Sequence, residues 1–331
     1  MRTVWFLPAL MIFSVACSQA SDMAGPKAAA NEPVSAGNAP LIIAHRGASG
    51  LYPEHTLEAY GAAIDMGADF IEPDLVMTRD GVLVARHDRY LSDSTDIADH
   101  PEFADRRVIK TVNGSPQEDW FVEDFTLNEL KTLRARQAFT GRSAEYDDRF
   151  AIPTFTEILG LVAISNSSGQ KVGIYPELKS PEVYAGLGMD MPGAVLAAIE
   201  AAGLKEVGAP VYIQSFHPGT LRTLDSQSDW PLVQLLPASG GERLSPDQIA
   251  AYADGIGPWK QIMVQFRGGP QAYVDLAHSA GLEVHPYTYR ADDIAPGFET
   301  FEGELTATYA LGVDAIFTDH PDKALAVRDG E

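Results

Sequence analysis

The chain has 331 residues, 45% of them hydrophobic, and a single cysteine, enough apolar material for one large core or two modest ones. Its 24 basic residues stand against 46 acidic ones, for a formal charge of −22, and the basic residues are scattered. That balance excludes a nucleic-acid binder built on a basic patch and disfavours docking on anionic lipid headgroups.

The chain opens with MRTVWFLPALMIFSVAC, a basic Arg2 followed by an apolar run that ends in small residues. The run is short for a bilayer span and has the shape of a secretion signal covering residues 1–16. Ser14-Val15-Ala16-Cys17 resembles a bacterial lipoprotein cleavage site, where Cys17 becomes the lipidated first residue, although Ser14 stands where Leu is usual. An ordinary signal peptidase would also accept Ser14-Val15-Ala16, but it would leave a free thiol in an oxidising compartment. Residues 18–40, rich in Ala, Ser, Pro, Gly and Asn, read as a flexible tether. Ser18 in place of Asp after the cysteine points to the outer membrane, so the expectation is a periplasmic protein held to that membrane by a lipid.

From Leu41 onward, strand and helix signals alternate. LIIAH (41–45) is a predicted strand, and PEHTLEAYGAAIDMG (53–67) a helix with Pro53 in its first turn and Gly67 at its stop. DFIEPDL (69–75), VGIYPEL (172–178), VYIQSF (211–216), PLVQLL (231–236), GIGP (255–258), LEVHPYT (282–288) and VDAIFTD (313–319) are the further strands. Helical stretches at 154–165, 191–204, 217–227, 245–254, 270–282 and 299–312 separate the later ones, and a short helix follows the last. Eight strands alternating with helices over about 250 residues predict an α/β fold of the (β/α)8, or TIM-barrel, type. A doubly wound open sheet is the alternative, but no G-x-G-x-x-G turn follows the first strand.

Two segments depart from the alternation. VLVARHD (82–88) follows Thr78-Arg79-Asp80-Gly81, and Asp-Gly suits a two-residue hairpin turn. Pairing Arg79 with Val82 would set His87 opposite Asp74; a one-residue shift, or a barrel strand in its own right, is also open. Residues of about 89–150 are charged, with only a helix-like DFTLNELKTLRAR (124–136), and read as an insertion after the second strand that caps the catalytic face. The globular unit is thus expected to cover 41–331.

The chemistry gathers at strand ends. Side chains alternate along a strand, so Glu72 and Asp74 point the same way, as do Glu177 and Lys179. In a barrel these ends, with that of His45, meet at one mouth. Three carboxylates held together repel unless a cation neutralises them, and oxygen donors favour Ca²⁺, with Mg²⁺ as the alternative. Beside such a cation, Arg46 and Lys179 suit an oxyanion such as phosphate, and His45 and His87 supply a proton acceptor and a proton donor near neutral pH. Gln214, Phe216, Trp259, His285 and Tyr287 fall at strand ends or just beyond, where they would line the substrate pocket; Trp259 and Tyr287 have faces suited to a quaternary ammonium. The same acids could instead form salt bridges with Arg46 and Lys179, and the aromatic residues could be ordinary packing.

At AHRGASGLYPEHTLEAY (44–60), GADFIEPDLVMTRDGVLVARHD (67–88), FTLNELKTL (125–133), IPTFTEIL (152–159), GIYPELKSP (173–181), VHPYTYR (284–290) and IFTDHPDKA (316–324), the chain resembles the glycerophosphodiester phosphodiesterases, most closely the bacterial periplasmic type. The resemblance covers nearly everything after the tether. It implies a metal-dependent phosphoric diester hydrolase with Glu72, Asp74 and Glu177 on Ca²⁺, His45 and His87 as the acid/base pair, and Arg46 and Lys179 on the phosphate. The implied reaction releases sn-glycerol 3-phosphate and an alcohol such as choline or ethanolamine. The oligomeric state stays open, a homodimer included. Two rival functions are an intact-phospholipid hydrolase, disfavoured by the charged insertion, and a non-hydrolytic binding lipoprotein, disfavoured by the His45/His87 pair.

Overall fold

A computed structural model describes residues 39–239, 241 and 244–330. The expected signal peptide, Cys17 and most of the tether lie outside the described residues.

Parallel strands form a barrel: β1 (Leu41–His45), β2 (Phe70–Glu72, continued after Pro73 by Asp74–Met77), β3 (Gly173–Ile174, continued by Glu177–Leu178), β4 (Ile213–Ser215), β5 (Leu232–Leu236), β6 (Gly255–Pro258), β7 (Glu283–Val284) and β8 (Ala315–Thr318). From β1 to β7 each pairs with the next in chain order, and β1 also pairs with β8. The β2 and β3 ladders are interrupted at Pro73 and Pro176, which have no N–H to give. Their carbonyls still accept from Glu177 N at 2.9 Å and from Gln214 N at 3.0 Å. Between β7 and β8 the ring closes through Asp314 N to Val284 O (3.0 Å), Phe317 N to Pro286 O (3.1 Å) and Tyr289 N to Phe317 O (2.9 Å). The expected TIM barrel is therefore the fold.

An outer ring of helices covers the strands: α1 (Leu57–Met66), α2 (Phe155–Ser167), α3 (Met191–Ala201), α4 (Pro218–Asp225), α5 (Pro246–Ala250), α6 (Gly269–Ser279), α7 (Phe301–Tyr309) and α8 (Pro321–Asp329). Their apolar stripes pack on outward-facing strand residues such as Ile42, Ile71, Ile213 and Ile316. A second, smaller core of Ile43, Phe70, Tyr175, Val233, Ala315 and Phe317 fills the barrel interior. Gly173 belongs to that interior, where a Cβ would collide with the Phe70 ring. The chain enters at Leu41, at the end opposite the C-terminal ends of the strands.

Three expectations are corrected locally. Helix α1 starts at Leu57, four residues later than Pro53 suggested, because the Thr56 side chain caps it by accepting from Ala59 N. The hairpin pairs Leu75 with Ala85, Val76 with Val84 and Met77 with Leu83, so the one-residue shift is the register formed and Asp74 lies opposite Arg86. The loop has three residues, Arg79-Asp80-Gly81, with Thr78 N bonded to Val82 O and Gly81 at φ 80°, a turn closed by a left-handed glycine. Finally, the expected helix-like 124–136 contains only Leu127–Leu130, while the insertion holds an unexpected hairpin, Val108–Val112 with Ser115–Asp119, turning at Asn113-Gly114.

Candidate active site

The site follows from strand alternation. Going up β1, Ile43 faces the interior and His45 faces it again two residues on; Phe70 is followed likewise by Glu72 and Asp74, Tyr175 by Glu177, and Phe317 by Asp319. Apolar side chains therefore fill the lower layer and polar ones emerge above it. The resulting cavity, of about 200 Å³, is lined by His45, Arg46, Glu72, Asp74, His87, Glu177, Lys179, Gln214, Phe216, Trp259 and Tyr287, together with Leu235, Thr288, Arg290 and Phe317. Of the pocket residues expected from sequence, His285 alone does not face it. It sits one layer below Tyr287, fully buried, with Nδ1 2.8 Å from the Tyr175 hydroxyl. Cys17 lies outside the described residues.

The three acids converge. One oxygen each of Glu72, Asp74 and Glu177 lies within 4.8 Å of the others, and all three side chains are buried. Burial, then the neighbouring Asp74 and Glu177 charges, hold the Glu72 carboxyl well above the usual range. Burial and Asp74 likewise push Glu177 up to about 8, against the pull of Lys179. Asp74 goes the other way: Lys179, His55, His87 and Arg46 outweigh its burial and keep it ionised. Gln214 Nε2 donates to Glu72 Oε1 at 3.1 Å, and its Oε1 is buried with no hydrogen-bond partner among the described residues. An all-oxygen donor set, two carboxyls pushed up by burial and by neighbouring negative charge, and an orphaned amide oxygen beside them fit a hard divalent cation.

Cations flank these acids. Lys179 Nζ lies 3.0 Å from Glu177 Oε1 and 3.7 Å from Asp74 Oδ1. Arg46 Nη1 donates to Glu54 at 2.6 Å, and its Nε lies 3.3 Å from Asp74. Its backbone is left-handed (φ 60°), with its N–H on Glu72 Oε2 at 2.9 Å, so the turn after β1 is bonded directly to one of the three clustered acids. His55, fully buried, places Nε2 2.9 Å from Asp74 Oδ2 and Nδ1 2.7 Å from the Tyr60 hydroxyl.

Each candidate acid/base histidine rests on a carboxylate. His45 Nδ1 lies 2.7 Å from Asp319 Oδ1, and His87 Nδ1 lies 2.9 Å from Asp88 Oδ2. Burial and the nearby Arg46 hold His45 down at about 4, against the opposing pull of Asp319. His87 is lowered by burial, Arg46 and Lys179. Both rings are neutral near pH 7, with Nδ1 tied to an anion and Nε2 left for chemistry. Asp319 is itself buried; His45, Arg290 and Arg142 outweigh that burial and keep it ionised. Sequence reasoning missed Asp319, Arg290, Glu54 and Arg142. For Asp319 a signal existed, since it continues the inward parity of Phe317.

The chain matches the family model described as the glycerophosphoryl diester phosphodiesterase family over residues 45–323. It is 37% identical to glycerophosphodiester phosphodiesterase GDPD6 of Arabidopsis thaliana, over 85% of this chain and 83% of that protein. It is 31% identical to a glycerophosphodiester phosphodiesterase of Haemophilus influenzae, over 88% of this chain and 90% of the other. Among solved structures, an Oleispira antarctica phosphodiesterase in complex with the product sn-glycerol-3-phosphate superposes with a TM-score of 0.64 at 22% identity, covering 88% of this chain and 97% of that one. A glycerophosphodiester phosphodiesterase of Thermotoga maritima does so with a TM-score of 0.56 at 19% identity, covering 88% of this chain and 99% of that one.

Proposed function

From the chain's membership of the glycerophosphoryl diester phosphodiesterase family, we propose that it hydrolyses glycerophosphodiesters such as glycerophosphocholine and glycerophosphoethanolamine to sn-glycerol 3-phosphate and an alcohol. The observation that carries this reading is the meeting of three buried carboxylates with Arg46, Lys179 and two carboxylate-backed histidines in one cavity. Glu72, Asp74 and Glu177 would hold a divalent cation, Ca²⁺ by preference, that supplies Lewis-acid stabilisation of phosphate charge. Arg46 and Lys179 neutralise the non-bridging oxygens and orient the diester. One histidine, neutral at Nε2, removes a proton from the attacking hydroxyl, either water or the glycerol 2-hydroxyl. The other enters the step as the imidazolium that the anionic diester favours and gives its Nε2 proton to the departing alkoxide. The aromatic residues Phe216, Trp259 and Tyr287 surround the organic part of the substrate, where an ammonium headgroup gains from their faces. Residues 1–16 are read as the export signal and Cys17 as the lipid attachment point on the periplasmic side of the outer membrane.

A coupled glycerol 3-phosphate assay on glycerophosphocholine tests this, with chelator and then with each metal restored. Turnover should vanish on chelation and return with Ca²⁺; turnover that survives exhaustive chelation sinks the metal reading. His45→Ala and His87→Ala should each lose about 10² to 10⁴ in kcat. The variant lacking the acid should lose far less on an aryl diester whose leaving group needs no proton, which assigns the two roles.

A further inference from the structure

We propose that Arg142, carried by the insertion, is a positioning residue for His45 that acts through Asp319; the inference rests on the acid/base reading of His45. The Asp319 carboxylate divides its two oxygens between different tasks. Oδ1 holds His45 Nδ1 at 2.7 Å. Oδ2 accepts from Arg142 Nη2 at 2.7 Å and from Arg290 Nε at 2.7 Å. With Oδ2 fixed by two guanidiniums, the carboxylate is not free to turn about its Cβ–Cγ bond, and Oδ1 stays on the imidazole.

Arg142 is itself held on every side. Its Nε and Nη2 grip Asp292 at 2.6 and 3.0 Å, and its Nη1 donates to Ser49 O at 3.2 Å. Its guanidinium lies 4.1 Å from the centre of the Phe139 ring, and its side chain is 4% exposed. Ser49 Oγ in turn donates to His45 O at 2.8 Å. One guanidinium thus ties the backbone just after His45 to the carboxylate that grips the His45 ring. The charges also balance: Asp292 and Asp319 against Arg142 and Arg290. Without Arg142, a buried carboxylate that must orient a histidine would lose one of the two guanidiniums bonded to its Oδ2. The insertion therefore reaches across three loops of the barrel mouth to complete a support that the barrel alone leaves unfinished.

The test is a kinetic double-mutant cycle on the full-length protein, with melting temperature as the check on folding. Wild-type release of glycerol 3-phosphate and its loss in His45→Ala are read first; if either fails, the acid/base reading fails and takes this inference with it. Given both, Arg142→Met should lower kcat about tenfold to a hundredfold with KM changed less than about threefold, as a misdirected catalytic group would. Asp319→Asn should lower kcat by about a hundredfold or more. The double variant should fall within about twofold of Asp319→Asn alone, because both act on one ring. Losses that multiply, or a rise in KM with kcat intact, overturn the role assigned to Arg142 while leaving the activity standing. Should Arg142→Met fail to fold, Arg142→Lys, which keeps the charge without the two-pronged grip, goes through the same cycle with the same non-additivity required.

Discussion

His45 shows how burial and charge set the state of one side chain. An unfolded histidine takes up its proton near pH 6.5, whereas His45 in the folded chain does so at about 4. Between those values the unfolded state binds more protons, so stability should fall as the pH drops from about 6.5 to about 4. Urea midpoints across that range should decline in the wild type and decline less steeply in His45→Gln; equal slopes would contradict the assignment. Much of the site was legible residue by residue. The spacing of Glu72 with Asp74, and the strand-end positions of His45 and Glu177, follow from the two-residue period of a strand. The supports of those residues were not, because they come from far away: Asp319 is 274 positions from His45, and Arg142 is 177 from Asp319. No local period carries such a partnership.

At the scale of elements, the junction between β1 and α1 is a tight joint near the site. Gly47 has φ 85°, and a Cβ there would lie 2.7 Å from the Ala59 carbonyl carbon and 2.8 Å from its oxygen, both backbone atoms of α1. Gly47→Ala should therefore cost about 2 kcal/mol or more, combining left-handed strain with displacement of a helix. Denaturant unfolding measures it, and a loss below about half a kcal/mol would mean the helix shifts freely. The main strands and helices were legible because apolar runs and amphipathic stretches alternate strictly. The hairpin register was not, since Asp80-Gly81 reads equally well as a two-residue turn, and only Thr78 pairing with Val82 reveals a three-residue loop. The insertion hairpin did carry an Asn-Gly signal, but exposed residues such as Ile109 on its strands give no inward face to mark them as sheet.

For the whole molecule, the acidic surface matters before any contact is made. A formal charge of −22 surrounds a cavity meant for a phosphodiester, so a net-anionic diester should be held off at low salt. Raising NaCl from about 10 to about 150 mM shortens the screening length from about 30 to about 8 Å, and kcat/KM for glycerophosphoglycerol should rise severalfold. Net-neutral glycerophosphocholine should change less than about twofold over the same range. A parallel response of the two substrates would show that the distant charges play no part.

Leu41 enters the barrel at its closed base, while the acids and histidines open at the far end. On the proposed reading of Cys17 as a lipid attachment point, the tether would join the barrel at the foot of a cup. Its brim would then open on the side away from that joint, the side from which dissolved diesters arrive.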